Sequence, residues 1–199
     1  MAKQKGIIKL DGTIGGITFY KTTEDGYLAR EKGGVSADKI ANDPAFQRTR
    51  ENGEEFGRAG KAGKLLRNSI RAMLQNASDS RMVGRLTQKM VEVIQEDLTN
   101  PRGQRNVIDG EAELLEGFEF NISGKLGTTL YAPFTGTIDR VAGTLTANIP
   151  AFVPINMLAA PGGATHFKIV SAGAEVDFEN ETFVMDAQAT AVLPWDATA

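Results

Sequence analysis

Cysteine is absent from the 199 residues, which excludes disulfides, thiolate nucleophiles and Cys-ligated zinc or iron–sulfur sites. Histidine is nearly so: the one histidine, His166, falls at the expected start of a strand beside Phe167, with no Ser, Asp or Glu set next to it in a catalytic motif. No run approaches the roughly eighteen apolar residues that a membrane span needs. The opening MAKQKGIIKLDG has only Ile7-Ile8 as an apolar pair before Lys9 and Asp11, short of the h-region of a secretory signal. The expectation is a soluble protein made inside the cell, with no membrane partner.

What the chain does have is charge sorted along its length. Residues 1–43 carry seven Lys/Arg against six Asp/Glu, residues 44–106 twelve against seven, and residues 107–199 three against twelve. A basic middle joined to an acidic C-terminal half attracts a neighbouring copy head to tail, or meets an anionic partner with one end only.

Three zones follow from the hydrophobic period. Residues 1–42 read as a β-hairpin arm and hinge: Asp11-Gly12, Gly15-Gly16 and Glu24-Asp25-Gly26 mark turns between three short strands, and Gly33-Gly34 marks the hinge. Ile17, Phe19 and Lys21 point one way, Thr18 and Tyr20 the other. Such a sheet is marginal alone and must dock on something.

Residues 43–106 read as an antiparallel helix pair. Asp43 caps the first helix with Pro44 at its first position. Gly53, Gly57 and Gly60 lie near one face, with Gly63 just beyond. Each glycine costs about 1 kcal/mol against alanine in a helix, so either a closely packed partner compensates or the helix breaks over 52–63. Leu66, Ile70, Met73 and Leu74 then form an apolar stripe. After a turn at 76–80, capped by Ser78 or Asp79, the residues Met82, Val83, Leu86, Met90, Val93, Ile94 and Leu98 trace the second helix face, which should end before Pro101.

Residues 107–199 alternate short Phe/Thr/Val/Ile stretches with Gly, Pro and Asn, the pattern of an antiparallel β-sandwich or barrel of six or seven strands. A hairpin is expected around Val141-Ala142-Gly143, with Ile138 and Leu145 or Ala147 facing inward. The fold class is therefore α+β: arm, helix pair, sandwich or barrel.

Candidate chemistry is thin. Glu111, Glu113, Glu116 and Glu119 lack the Asp/Asn and Gly spacing of a calcium loop and read as a solvated face. The Gly12–Gly16 segment matches no phosphate-binding fingerprint. An enzyme, a metal and a cofactor are not expected. Lys61, Lys64, Arg67 and Arg71, within a longer series from Arg48 to Lys89, supply a nucleic-acid or anionic contact as the alternative function, although the acidic half and a pI near 5.3 oppose it. A glycan- or receptor-binding sandwich is a further alternative resting on fold class alone.

The segments GIIKLDGTIGGITFYKTTEDGYLAREKGG and NDPAFQRTRENGEEFGRAGKAGKLLR, mainly residues 6–70, resemble uncharacterised proteins encoded by bacteriophages and prophages. The resemblance implies a virion structural role: a small capsid or shell protein, a capsid accessory protein, or a tail or connector ring protein, made in the bacterial cytoplasm and located in the virion. The expected partners are copies of the chain itself, with other virion proteins next. Assembly is expected to run through Ile17, Phe19, Tyr20, Tyr27 and Leu28 of the arm and the Gly53, Gly57, Gly60 face.

Overall fold

Glycines with left-handed backbone set the reversals of the first sheet. In the computed structural model, which describes residues 2–198, strands β1 (Ala2–Lys3), β2 (Gly12–Ile14), β3 (Ile17–Thr22) and β4 (Gly26–Glu31) pair antiparallel in the order β1-β4-β3-β2. Gly15, at φ +59°, opens the two-residue turn between β2 and β3. Gly26, at φ +73°, closes the longer turn into β4, where the Thr22 hydroxyl accepts from the Asp25 N–H at 3.0 Å. The sheet has one strand more than the three expected. Residues 2–3 are too short to show a period of two, and they pair with Leu28 and Ala29 as β1.

A short helix α1 (Ala37–Asn42) follows, with the Ser36 hydroxyl accepting from the Lys39 N–H. Asp43 caps the next element as expected: its carboxylate accepts from the Ala45 N–H at 2.9 Å, and Pro44–Phe46 form a 3₁₀ turn that runs into α2 (Gln47–Ser69). Arg50 donates to the carbonyls of Ile40 and Asp43, tying α1 to the start of α2. Met1–Arg50 forms one compact unit and Glu51–Ala199 a second.

In the second unit α2 continues unbroken through Gly53, Gly57, Gly60 and Gly63, so the alternative of a break over 52–63 falls. The break comes instead at Ile70 (φ −112°, ψ 22°), after which α3 (Arg71–Ala77) and α4 (Met82–Gln95) follow. Ala59, Ala62 and Gly63 of α2 meet Leu86 and Met90 of α4. Small residues on one helix and long ones on the other allow this antiparallel contact. Leu86, Met90, Val93 and Ile94 are completely buried, each contributing about 1.5–3 kcal/mol. Val83 and Leu98 depart from the expected stripe: both are exposed, because the buried arc of α4 is narrower than the apolar one and the helix stops at Gln95.

A loop the sequence left unread, residues 96–111, packs on both helices. Asp97 is its hub: Oδ1 accepts from the N–H groups of Thr99 and Asn100, and Oδ2 from the Asn100 side chain and the Asn106 N–H. Buried Glu55 accepts from Gly103 N–H at 2.8 Å and from Arg105 in a two-point ion pair at 2.8 and 2.9 Å. Two close approaches demand glycine. A Cβ on Gly110 would lie 2.3 Å from the Val93 carbonyl oxygen, and one on Gly103, already at φ +87°, 2.9 Å from Glu51 Cγ.

The C-terminal region adds single-turn helices α5 (Leu126–Thr129) and α6 (Pro154–Met157) and six strands: β5 (Thr135–Asp139), β6 (Thr144–Asn148), β7 (His166–Phe167), β8 (Val170–Asp177), β9 (Thr182–Ala189) and β10 (Leu193–Pro194). The chain is thus α+β with antiparallel strands at both ends. A correction applies to the sandwich or barrel: the six strands form three separate pairs, β5-β6, β7-β10 and β8-β9, rather than two continuous sheets. Prolines at 150, 154 and 161 lie between β6 and β7, and the β8-β9 hairpin is nested in sequence within the β7-β10 pair. The β5-β6 turn falls at Arg140–Gly143 as expected, held by Asp139 accepting from Val141 and Ala142 N–H groups. Ile138 and Leu145 pair across it, but neither is buried; Leu145 lies over Gly173 of β8, 3.2 Å from where a Cβ would stand.

Candidate functional site

The five arm residues split between two faces of the first sheet. Ile17, Phe19 and Tyr27 share one face, where Phe19 stands opposite Ala29 and Lys21 opposite Tyr27. Tyr20 and Leu28 stand opposite one another on the other face. Cations cover the rings: Lys21 lies 5.4 Å from the Tyr27 centroid and the Arg30 guanidinium 5.2 Å from Tyr20. Leu28 is the one buried apolar residue among those described in this unit, while Ile7, Ile8, Leu10, Ile14, Ile17 and Val35 are exposed.

The glycine face is open. A Cβ at Gly53, Gly57 or Gly60 would meet no atom within 4 Å, so among the described residues of the second unit no element makes the close approach expected there. It is Gly63, one turn on, that faces α4, and even there an added methyl would make ordinary contacts of 3.6–3.7 Å. Exposed Phe56 adjoins the open glycines.

The basic series is dispersed. Arg58 donates to the carbonyls of Gly103 and Arg105, Arg85 binds Asp79 and the Glu119 carbonyl, and Lys89 pairs with Glu92 at 2.7 Å. Arg50 serves the α1 junction already described. Of the four residues singled out, Lys61, Lys64 and Arg71 are exposed, but the Ile70 break sets Arg71 on a different helix from the others. Arg67 folds back over Gly63, its Nη1 buried without a hydrogen-bond partner.

Two hollows stand out among the described residues of the second unit. One, of about 210 Å³, is lined by Arg58, Lys61, Ala62, Leu65, Val107 and Phe178, with Glu181 at its wall. Glu181 has the one positive φ outside glycine among the described residues, +55°, at the end of the β8-β9 turn. The other, a groove of about 290 Å³, is almost wholly apolar: Ile149, Pro150, Ala151, Phe152, Phe167 and Leu193 form most of it, with Thr190 and Thr198 at its margin. Phe152 and Phe167 face each other at 6.1 Å between centroids. Trp195, next to the groove, is fixed by its indole N–H donating to the Leu158 carbonyl at 3.0 Å.

The shifted carboxylates all belong to structural hubs. Burial would push Asp97 up, but the Asn100 side chain and the N–H groups of Asn100, Asn106 and Thr99 outweigh it and hold the group at about 2. The Arg105 side chain, with help from Gly103 N–H, holds Glu55 below the usual range. The Ile122 N–H does the same for Asp79, and the Thr198 hydroxyl and N–H for Asp196 beside the groove. His166 is exposed, with the Thr165 hydroxyl 2.9 Å from Nδ1. Among the described residues no three His, Asp or Glu are grouped to hold a metal ion, and no helix is long and apolar enough to cross a membrane.

Two features escaped the sequence reading: the Ile7-Ile8 loop and the apolar groove. Their signals were an isoleucine pair between lysines, and the proline-bracketed Pro150-Ala151-Phe152-Val153-Pro154. Comparison with protein-family models, with curated proteins and with solved structures finds no match.

Proposed function

We propose that this chain is a non-enzymatic, self-assembling structural protein, a component of a bacteriophage virion such as a small shell, capsid accessory, or tail or connector ring protein. The observation that carries the assembly part is surface area. The chain exposes 14163 Å², whereas two compact globules of about 5 and 16 kDa would together expose roughly 11,000 Å². The excess of roughly 3,000 Å² lies in the range that obligate interfaces cover. Much of it is apolar, from Ile7 and Ile14 in the first unit to Ile138, Val141 and Val184 in the second. The virion part rests on the resemblance read from residues 6–70. The opposite charges of the middle and the C-terminal half favour head-to-tail contact between copies.

The test is the absolute mass of the nuclease-treated protein by light scattering after size exclusion, over a range of concentration and salt. A discrete mass of several chains is expected, and weakening by salt would assign part of the contact to charge. A monomer under every condition would refute self-assembly. The nucleic-acid alternative gains no support from the dispersed basic series, and retained nucleic acid that salt releases is the result that would revive it.

A further inference from the structure

The second unit displays two sets of unpaired charge of opposite sign. On α2, Lys61 and Lys64 are exposed, and among the described residues neither they nor Arg67 nor Arg71 forms an ion pair. Arg58, Arg85, Lys89, Arg102 and Arg105 differ, since carboxylates or carbonyls hold them. Arg67 even leaves Nη1 buried without an acceptor, so the chain supplies no anion to this face. The counterpart is the β8-β9 hairpin. Residues 170–189 hold five carboxylates and no Lys or Arg. The register stands Glu175 opposite Val184, Asp177 opposite Thr182 and Asp186 opposite Gly173, which puts those three acids on one face. Glu179 and Glu181 occupy the turn. All five are exposed, and among the described residues none pairs with a cation. Phe178 packs the turn against the helical core, so Glu181 and Lys61 line the same hollow without forming an ion pair.

We infer that the Lys61, Lys64 and Arg67 face of α2 in one copy docks on the Glu175 and Glu179 side of the β8-β9 hairpin of a second copy. This rests on the assembly proposed above and names its contact. Charge complementarity chooses the occupant: each set lacks a counter-charge in its own chain, and a second copy supplies the missing set in equal number. A nucleic acid fits the face less well. Lys61 to Arg67 rises only about 9 Å along the helix, whereas a DNA-binding surface meets roughly six to ten phosphates. Glu181 also lines the hollow beside Lys61, so the matching surface has to carry cation next to anion. A phosphate backbone carries anions alone, while a second copy presents its own lysines beside its own carboxylates.

Charge exchange tests the contact from both sides. Lys61→Glu with Lys64→Glu makes the helix face acidic, and Glu175→Lys with Glu179→Lys makes the hairpin basic. All four positions are exposed and none of these side chains has an ion pair to lose, so each variant should melt close to the wild type when dilute. By light scattering at low salt, each alone is expected to need at least tenfold higher concentration to assemble, because like charges now meet. Mixed one to one, the two variants again set opposite charges against each other and should recover the wild-type mass. Glu111→Lys with Glu113→Lys makes the same change of charge off the hairpin, at exposed positions; it should assemble normally alone and fail to rescue the helix variant. Helix or hairpin variants that assemble like the wild type would overturn the contact while leaving self-assembly standing. A mixture that stays dissociated, or a rescue by the Glu111 and Glu113 control, would also overturn it. Loss of retained nucleic acid from the helix variant with its mass unchanged would hand the cations to nucleic acid instead. A monomeric wild type would remove both the contact and the assembly on which it rests.

Discussion

Replacing Gly53, Gly57 and Gly60 together by alanine should stabilise the folded chain and weaken its assembly at once. All three lie inside α2, and none would meet another atom within 4 Å on gaining a methyl group. With no clash to offset it, each substitution recovers the helix-propensity difference of about 0.8–1 kcal/mol. The three share no partner, so the gains should add to about 2–3 kcal/mol. For a chain of this length, 1 kcal/mol moves the melting temperature by about 2–4 °C, and the triple variant should therefore melt about 4–12 °C higher. Much of the gain comes from the unfolded chain, which loses the extra freedom of glycine.

Assembly makes the result diagnostic. Three methyl groups added to a face that a neighbouring copy approaches closely would hold the two backbones apart, so the light-scattering mass should fall even as the melting temperature rises. Melting is to be followed by circular dichroism at a dilution where the wild type is dissociated, which keeps association out of the stability reading. A lower melting temperature would refute the reasoning from open space. A higher melting temperature with unchanged mass would remove the glycine face from the assembly surface.

Other substitutions test the loop on the helix pair. Gly110→Ala forces a Cβ to 2.3 Å from the Val93 carbonyl oxygen, and a loss of about 1–3 kcal/mol or more is expected by denaturant titration, with no loss counting against the loop geometry. Arg105→Leu leaves the buried Glu55 carboxylate without its two-point partner; about 3 kcal/mol should be lost, and a cost under about 1 kcal/mol would show that the pair is not buried in solution. Asp97, held at about 2 in the folded chain against about 4 when unfolded, contributes stability that is present above about pH 4 and lost as pH falls toward 2. Asp97→Asn should flatten the acid end of the stability curve, and an unchanged slope there would assign acid sensitivity to other carboxylates.

Elements that announce themselves locally were legible. The Asp43-Pro44 start, the Asp-Gly and Gly-Gly turns, and the Met82 to Ile94 face all depend on residues within four positions of one another. What was missed depends on long-range pairing. β1 is two residues, Ala2 and Lys3, whose partners Ala29 and Leu28 lie far along the chain. The 96–111 loop is polar by composition, yet Asp97 and Glu55 order it through N–H groups that no periodicity reveals. The glycine spacing called for a closely packed partner without saying which, and within the second unit the contact with α4 is made by Ala59, Ala62 and Gly63. The C-terminal strand pattern named antiparallel strands but could not show that they would form three separate pairs.

The exposed apolar residues are spread over both units, and that spread limits the kind of assembly available. A two-fold dimer buries the same surface on each copy, so any contact between two different patches occurs twice and the pair is closed at two chains. A heterologous contact pairs two different patches once and leaves every copy with one of each to offer. Growth can then end only by closing on itself. A ring gives one mass that concentration does not change above its threshold, while a contact that fails to close gives a mass that climbs without limit. Salt separates the two components of the contact: raising it from low to physiological screens the attraction between the basic middle of one copy and the acidic C-terminal region of another over about a Debye length of 8–10 Å, but leaves apolar burial intact. Assembly that slows with salt yet reaches the same final mass therefore identifies charge as the guide and apolar burial as the holding force.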